Sequence, residues 1–101
     1  MRLSKSTIKI LQKNIQKSFG EVNIYLFGSR TDDNKKGGDI DLAIDISISK
    51  EEFKKNKIKL ISRLTKIDFD YKIDLVNYNT SDKLLHDEIS KNNIKLNNLY
   101  L

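Results

Sequence analysis

Apolar positions follow two spacings along this chain, and the change from one to the other predicts the order of its secondary structure. In residues 4–19 an apolar residue recurs at every third or fourth position, which is the spacing of an amphipathic helix, and Gly20 ends it. In residues 39–46 apolar and polar residues alternate, which is the spacing of a strand with one buried face. The predicted order is helix, strand, strand, helix, strand, helix, with the strands at residues 22–27, 39–46 and 71–78.

The two later helices are predicted from their first residues and their apolar faces. Ser49 is followed three residues later by Glu52, which forms a capping box, and Ser81 or Asp82 can cap the last helix. The first of these helices is expected to bury Phe53, Leu60, Ile61, Leu64 and Ile67. The second is expected to bury Leu84, Leu85 and Ile89.

This order of elements predicts an α+β domain. Its small mixed β-sheet would carry the helices packed on one face and leave the other face open for polar side chains. The 101 residues are enough for a modest core, and they contain neither a linker nor an internal repeat. We therefore expect a single domain over residues 1–101.

Two acids on the second predicted strand form a candidate metal site. The period of a strand places Asp39 and Asp41 on the same side, roughly 7 Å apart. Two ionised carboxylates at this separation repel each other, and a bound cation removes the repulsion. Mg²⁺ suits such a place because it binds one or two carboxylates together with substrate phosphates. The alternative is a strand edge whose acids only face water.

A Gly-Ser turn at the end of the first predicted strand forms a candidate phosphate site. Gly28 allows a ligand to approach the backbone without a Cβ in the way, and backbone N–H groups in such a turn bind anions. The Ser29 hydroxyl and the Arg30 guanidinium add donors for phosphate oxygens. Alone, this tripeptide would indicate an ordinary serine-capped turn, but the two acids that follow favour a nucleotide site. Neither a Walker loop nor a dinucleotide-binding glycine pattern is present in the sequence.

A third acid lies on the last predicted strand. Asp74 would reach the same patch as Asp39 and Asp41 if its strand lies beside theirs. There it could bind a second metal ion or accept the proton of an attacking hydroxyl. The alternative is a strand residue that faces solvent.

Composition narrows the functional classes. The chain has no cysteine, so disulfides and thiolate metal sites are excluded, and its one histidine, His86, has no metal-ligand companion one helical turn away. No apolar run is long enough to span a bilayer, and no signal peptide is present, so a cytoplasmic location is expected. The net charge of +5 follows from a general excess of lysine without interleaved aromatic residues, so direct nucleic-acid binding is not expected.

Together, Gly28-Ser29, Asp39-x-Asp41 and the later Asp74 resemble the motif of the DNA polymerase β-like nucleotidyltransferase superfamily. The short chain is similar to its minimal nucleotidyltransferase branch, called MNT, over residues 22–76 and the flanking helices. The resemblance implies that ATP is held by Gly28, Ser29 and Arg30 and by Mg²⁺ on Asp39, Asp41 and Asp74. It also implies that AMP passes to an acceptor hydroxyl while pyrophosphate leaves.

The resemblance also implies a partner. Minimal nucleotidyltransferases of this type are paired with a HEPN-domain RNase toxin, and they silence it by transferring AMP to a tyrosine hydroxyl. The expected function is therefore that of an antitoxin enzyme in a hetero-oligomer with its toxin. Two alternatives remain open: a binding-only antitoxin, and a transferase for a small molecule such as an aminoglycoside or for an RNA end. The nucleotide preference, the acceptor residue and the number of AMP groups are not determined by the sequence.

Overall fold

A four-stranded mixed sheet forms the centre of the computed structural model, which describes residues 3–28, 39–69, 71–79, 82–91 and 93–97. The elements are α1 Lys5–Phe19, β1 Asn23–Phe27, β2 Asp39–Asp45, α2 Lys50–Lys66, β3 Lys72–Asn77, α3 Lys83–Lys91 and β4 Asn93–Lys95. The predicted α+β class and the predicted order of the first six elements are confirmed. The fourth strand was not predicted, because three residues are too few to show an alternating pattern.

The strand order in the sheet is β3-β2-β1-β4. β1 pairs with β2 and with β4 in antiparallel fashion, whereas β2 and β3 are parallel. A parallel pair needs a long crossover connection, and α2 provides it between β2 and β3. The sheet is therefore mixed, as the sequence predicts, and β3 and β4 form its two edges.

The first two helices pack against one face of the sheet and build the main core. Ser4 caps α1 by accepting a hydrogen bond from the Thr7 N–H. Ser49 caps α2 by accepting one from the Glu52 N–H, as predicted. The fully buried side chains of this core include Ile8, Leu11, Ile15, Leu26, Ile40, Leu42, Ile44, Leu60 and Leu75. Each such side chain stabilises the fold by about 1.5–3 kcal/mol relative to an exposed position.

The third helix packs against the opposite face. Ile89 of α3 is fully buried in one cluster with Phe27 and Ala43, and Leu85 packs against that cluster. The expectation that the helices share one face therefore describes α1 and α2 but not α3. The reason is that Phe27, Ala43 and Val76 present apolar surface on this face.

Three residues expected in the core are exposed instead. Leu84 is 84% exposed because α3 directs Leu85 and Ile89, one turn apart, toward the sheet. Ile67 is 52% exposed because it lies at the C-cap, after the last helical residue of α2. Ile61 is 37% exposed, since Leu60 and Leu64 occupy the buried side of the helix. None of the described helices combines the length and the apolar character that a membrane crossing requires.

Candidate active site

Strand register brings the acids of β2 and β3 together. Asp41 is the register partner of Asp74, and Asp39 is the register partner of Lys72. Register partners on neighbouring strands point to the same side of a sheet, and so do residues two apart on one strand. The three acids named from the sequence therefore share one face at the same end of the sheet. Asp41 is half-buried there, whereas Asp39 and Asp74 are exposed.

The glycine of the predicted phosphate turn lies directly against this acidic patch. Gly28 follows Phe27, the register partner of Asp41, and it has a φ of +75°. A Cβ at this position would overlap the Asp41 carboxylate and would lie 3.3 Å from its Cγ. Only glycine both accommodates this backbone conformation without strain and leaves room for the carboxylate. Gly28, directly after β1, and the Asp41 carboxylate of β2 thus lie side by side.

The electrostatics of the patch centre on Asp41. Burial raises the pKa of the Asp41 carboxyl above its ordinary value of 3.8, and the nearby charges of Asp74, Asp39 and Glu88 raise this pKa further. All of these causes disfavour the ionised form. The fold therefore holds a half-buried carboxylate among three other acids, which is an arrangement that a cation would stabilise.

Glu88 was missed by the sequence analysis. It lies on α3, and its proximity to Asp41 arises because Ile89, the next residue, anchors that helix against the acidic face of the sheet. No motif or spacing in the sequence connects Glu88 with the strand acids. Only the docking of α3 reveals it.

The donor set fits a magnesium ion that is completed by a substrate. Among the described residues, no three His, Cys, Asp or Glu side chains are placed to hold a metal ion by themselves. Mg²⁺ does not require such a cage, because it is commonly bound by one or two carboxylates, substrate phosphates and water. Asp39 and Asp41 on β2, with Asp74 in register beside them, would supply such oxygen ligands.

Three other residues named from the sequence remain to be placed. Ser29 and Arg30 lie outside the described residues, so their expected role in phosphate binding stays a prediction. His86 is half-buried on α3, where its ring packs edge-on against Tyr78 with the ring centroids 5.0 Å apart.

A polar groove lies at the opposite end of the sheet, lined in part by Gln12, Asn97 and Asp45. Its amide groups hold the chain after β4 in place. The Asn97 side chain accepts a hydrogen bond from the Ile24 N–H and donates one to the Val22 carbonyl, and Gln12 donates one to the Leu96 carbonyl. The groove is therefore separate from the acidic patch and is built from structural hydrogen bonds.

Comparisons with known proteins agree with this geometry. Residues 5–98 match the family model described as polymerase beta, nucleotidyltransferase. A comparison with curated protein sequences gives no significant match.

Several solved structures share the fold. One is a toxin–antitoxin crystal structure with AMP-PNP, which has a TM-score of 0.65, 22% sequence identity, and coverage of 88% of this chain and 71% of that chain. Another is a tri-AMPylated HEPN toxin from Shewanella oneidensis in complex with its MNT antitoxin, with a TM-score of 0.64, 21% identity, and coverage of 93% of this chain and 71% of that chain. A mutant of the toxin–antitoxin MntA-HpeT has a TM-score of 0.66, 20% identity, and coverage of 88% and 71%. At these identities the likeness establishes the fold.

Proposed function

Because this chain belongs to the polymerase beta nucleotidyltransferase family, we propose that it transfers AMP from ATP, with Mg²⁺, to a hydroxyl group of a HEPN-domain RNase toxin. The acceptor is a tyrosine hydroxyl, and the transfer makes the chain an antitoxin. The observation that carries this proposal is the register of Asp41 with Asp74, together with the close approach of Gly28 to Asp41. It supports the proposal because the glycine of the expected phosphate turn lies next to the expected metal-binding carboxylates.

The turn at Gly28 holds the donor nucleotide. Its backbone lies next to Asp41 without a side chain between them, so phosphate oxygens can approach both the turn and the carboxylates. Ser29 and Arg30, which follow in the sequence, supply further donors to the triphosphate. The donor is therefore positioned on the β1 side of the acids.

The carboxylates would hold the metal ion near the reacting groups. Asp39, Asp41 and Asp74 would hold Mg²⁺, which supplies charge neutralisation for the phosphates and for the leaving pyrophosphate. The acceptor oxygen forms a bond to the α-phosphorus as the bond from that phosphorus to the bridging oxygen breaks, and pyrophosphate departs. Asp74, on the strand farther from Gly28, would accept the proton of the acceptor hydroxyl.

The choice of partner rests on the structural neighbours. All three of the reported neighbours are toxin–antitoxin structures, and in one of them the HEPN toxin is AMPylated. A protein acceptor that docks beside Asp74, which is exposed on β3, would bring its hydroxyl group to the acids.

The direct test combines the chain with a HEPN-domain protein encoded by the adjacent gene, ATP labelled on the α-phosphate, and Mg²⁺. We expect label on the HEPN protein, a mass increase of one or more adenylyl groups on a tyrosine, and loss of transfer when EDTA is added. The double variant Asp39→Ala plus Asp41→Ala should fold but transfer no label. Transfer by this double variant at the wild-type rate would overturn the proposed site.

Asp45→Asn is the matched control. Asp45 lies on the same strand and the same face as Asp39 and Asp41, but at the other end, where it accepts a hydrogen bond of 2.6 Å from the Asn79 side chain. An asparagine keeps an oxygen for this bond and removes the charge, so transfer should remain. Full neutralisation of the toxin by the inactive double variant would instead indicate an antitoxin that acts by binding alone. Labelling of a small molecule or an RNA end, with no labelled protein, would contradict the proposed acceptor.

A further inference from the structure

Lys72 occupies an unassigned position beside the acidic patch. It lies on β3 two residues before Asp74, and it is the register partner of Asp39. By the alternation of strand side chains, Lys72 therefore shares the face of Asp39, Asp41 and Asp74. Its side chain is exposed, so a positive charge stands at the accessible end of a group of carboxylates.

The strand order indicates whether Lys72 would lie nearer to ATP or to the acceptor. Gly28 follows β1, the acid pair lies on β2, and Lys72 lies on β3, on the far flank of the acids. Neighbouring strands are about 4.8 Å apart, so the two flanks are separated by roughly 10 Å. In a phosphoryl-type transfer the attacking and leaving oxygens lie roughly in line, on opposite sides of the phosphorus. If the triphosphate lies at Gly28, the acceptor approaches from the flank of Lys72.

We propose that the Lys72 ammonium contacts the acceptor hydroxyl and stabilises the negative charge that develops on its oxygen as the proton leaves. This inference rests on the proposed nucleotidyl transfer and adds a substrate contact to it. A tyrosine hydroxyl has an ordinary pKa of about 10, so almost none of it is ionised at neutral pH. A positive charge within about 4–6 Å favours the ionised form. Asp74 then accepts the proton while Lys72 holds the oxygen.

A different explanation makes Lys72 purely structural. β3 is an edge strand, and lysine on an edge strand discourages pairing with other chains. Lys95 allows this explanation to be tested, because it lies on β4 at the other edge of the same sheet. The register partner of Lys95 is Tyr25, and Tyr25 lies two residues before Phe27 on β1, so the two share a face. Phe27 is the register partner of Asp41, so Lys95 lies on the face of the acids. The two lysines are thus matched in strand type and in sheet face.

The test measures AMP transfer to the HEPN protein between pH 6 and 10 for wild type, Lys72→Met, Lys72→Arg and Lys95→Met, together with ATP affinity by calorimetry. Lys72→Met should lower kcat at neutral pH by about 10-fold to 100-fold and should move the alkaline rise of kcat upward by about one pH unit. Its affinity for ATP should stay within about twofold of wild type, because the ammonium faces the acceptor. Lys72→Arg should restore most of kcat, and Lys95→Met should match wild type.

Three outcomes would overturn the inference. In the first, Lys72→Met transfers AMP with the wild-type rate and pH profile. In the second, Lys72→Met loses ATP affinity in proportion to kcat, which would assign Lys72 to the triphosphate. In the third, Lys95→Met behaves like Lys72→Met, which would assign both lysines to a general effect of charge. If the wild-type protein binds ATP but labels no hydroxyl acceptor, the proposed function itself is refuted. That result is distinguishable from the three outcomes above because it appears without any substitution at Lys72.

Discussion

Replacing Gly28 with alanine should damage the site more than it damages the fold. The substitution adds one methyl group, at a position where φ is +75° and where that methyl group would overlap the Asp41 carboxylate. Two physical effects combine. The backbone is strained for any residue with a Cβ, and the Asp41 side chain must rotate away from its present position.

The expected loss of stability is moderate. A left-handed backbone costs an alanine about 1–2 kcal/mol, and an off-rotamer Asp41 adds about 0.5–1.5 kcal/mol. The reduced freedom of the unfolded chain offsets about 0.4–1 kcal/mol of this cost. The net cost is about 0.5–3 kcal/mol. In a domain of this size each 1 kcal/mol lowers Tm by about 4–8 °C, so a decrease of roughly 2–25 °C is expected.

Gly20→Ala separates the two effects. Gly20 also has a positive φ, of +86°, but a Cβ there would have no neighbour within 4 Å. Both variants should therefore unfold at lower temperature than wild type. Only Gly28→Ala should also weaken the binding of Mg²⁺ and ATP, because only there does the methyl group displace a carboxylate of the site.

The assay is thermal unfolding followed by circular dichroism, with calorimetric titration of Mg²⁺ and ATP at a temperature where each variant is folded. Wild-type ligand affinity in folded Gly28→Ala would refute the argument that this turn and Asp41 form one site. Equal loss of ligand affinity in Gly20→Ala would show that destabilisation, rather than contact with Asp41, weakens binding.

Two further predictions concern stability. Without metal, Asp41→Asn should raise Tm at pH 7, because the pKa of Asp41 is raised in the folded protein by burial and by neighbouring acids. Between pH 3.8 and the raised pKa the folded state binds more protons than the unfolded state, so wild-type stability falls as pH rises through that window. Below pH 3.8 the Tm difference between Asp41→Asn and wild type should therefore vanish. A lower Tm for the variant at pH 7 would contradict this argument. Leu60→Ala should lower the free energy of unfolding, measured in urea, by about 3–5 kcal/mol because Leu60 is fully buried. Ile61→Ala should lower it far less, because Ile61 is 37% exposed. Similar losses at both positions would place the buried side of α2 elsewhere.

The strand acids illustrate how much of the site could be predicted from the sequence. Alternation in residues 39–46 is a local property, so it placed Asp39 and Asp41 on one face without any knowledge of the tertiary fold. The position of Asp74 needed one more step, namely that its strand lies beside β2. The helical segment between the two strands favours that arrangement, because a parallel pair requires a long connection. The structure has this pairing, with Asp41 and Asp74 in register.

The third helix illustrates what could not be predicted. Its apolar residues were recognised, but periodicity does not say which face of a sheet a helix covers. That choice depends on Phe27 and Ala43, which come from two different strands and form apolar surface only when those strands pair. Leu84 was therefore placed wrongly in the core, and Glu88 was overlooked although it lies near Asp41. Long-range packing, rather than local pattern, decides both.

The docking of α3 also bears on how strongly the proposed site would bind a cation. The same helix that covers Ala43 brings Glu88 toward Asp41, and Asp41 itself is half-buried. A fully solvated pair of carboxylates would gain little from a bound cation, because water already screens their repulsion. Partial burial makes the repulsion stronger and the gain from neutralising it larger. Binding of Mg²⁺ with the phosphates of ATP would therefore relieve the repulsion at Asp41, at the place where the transfer is proposed to occur.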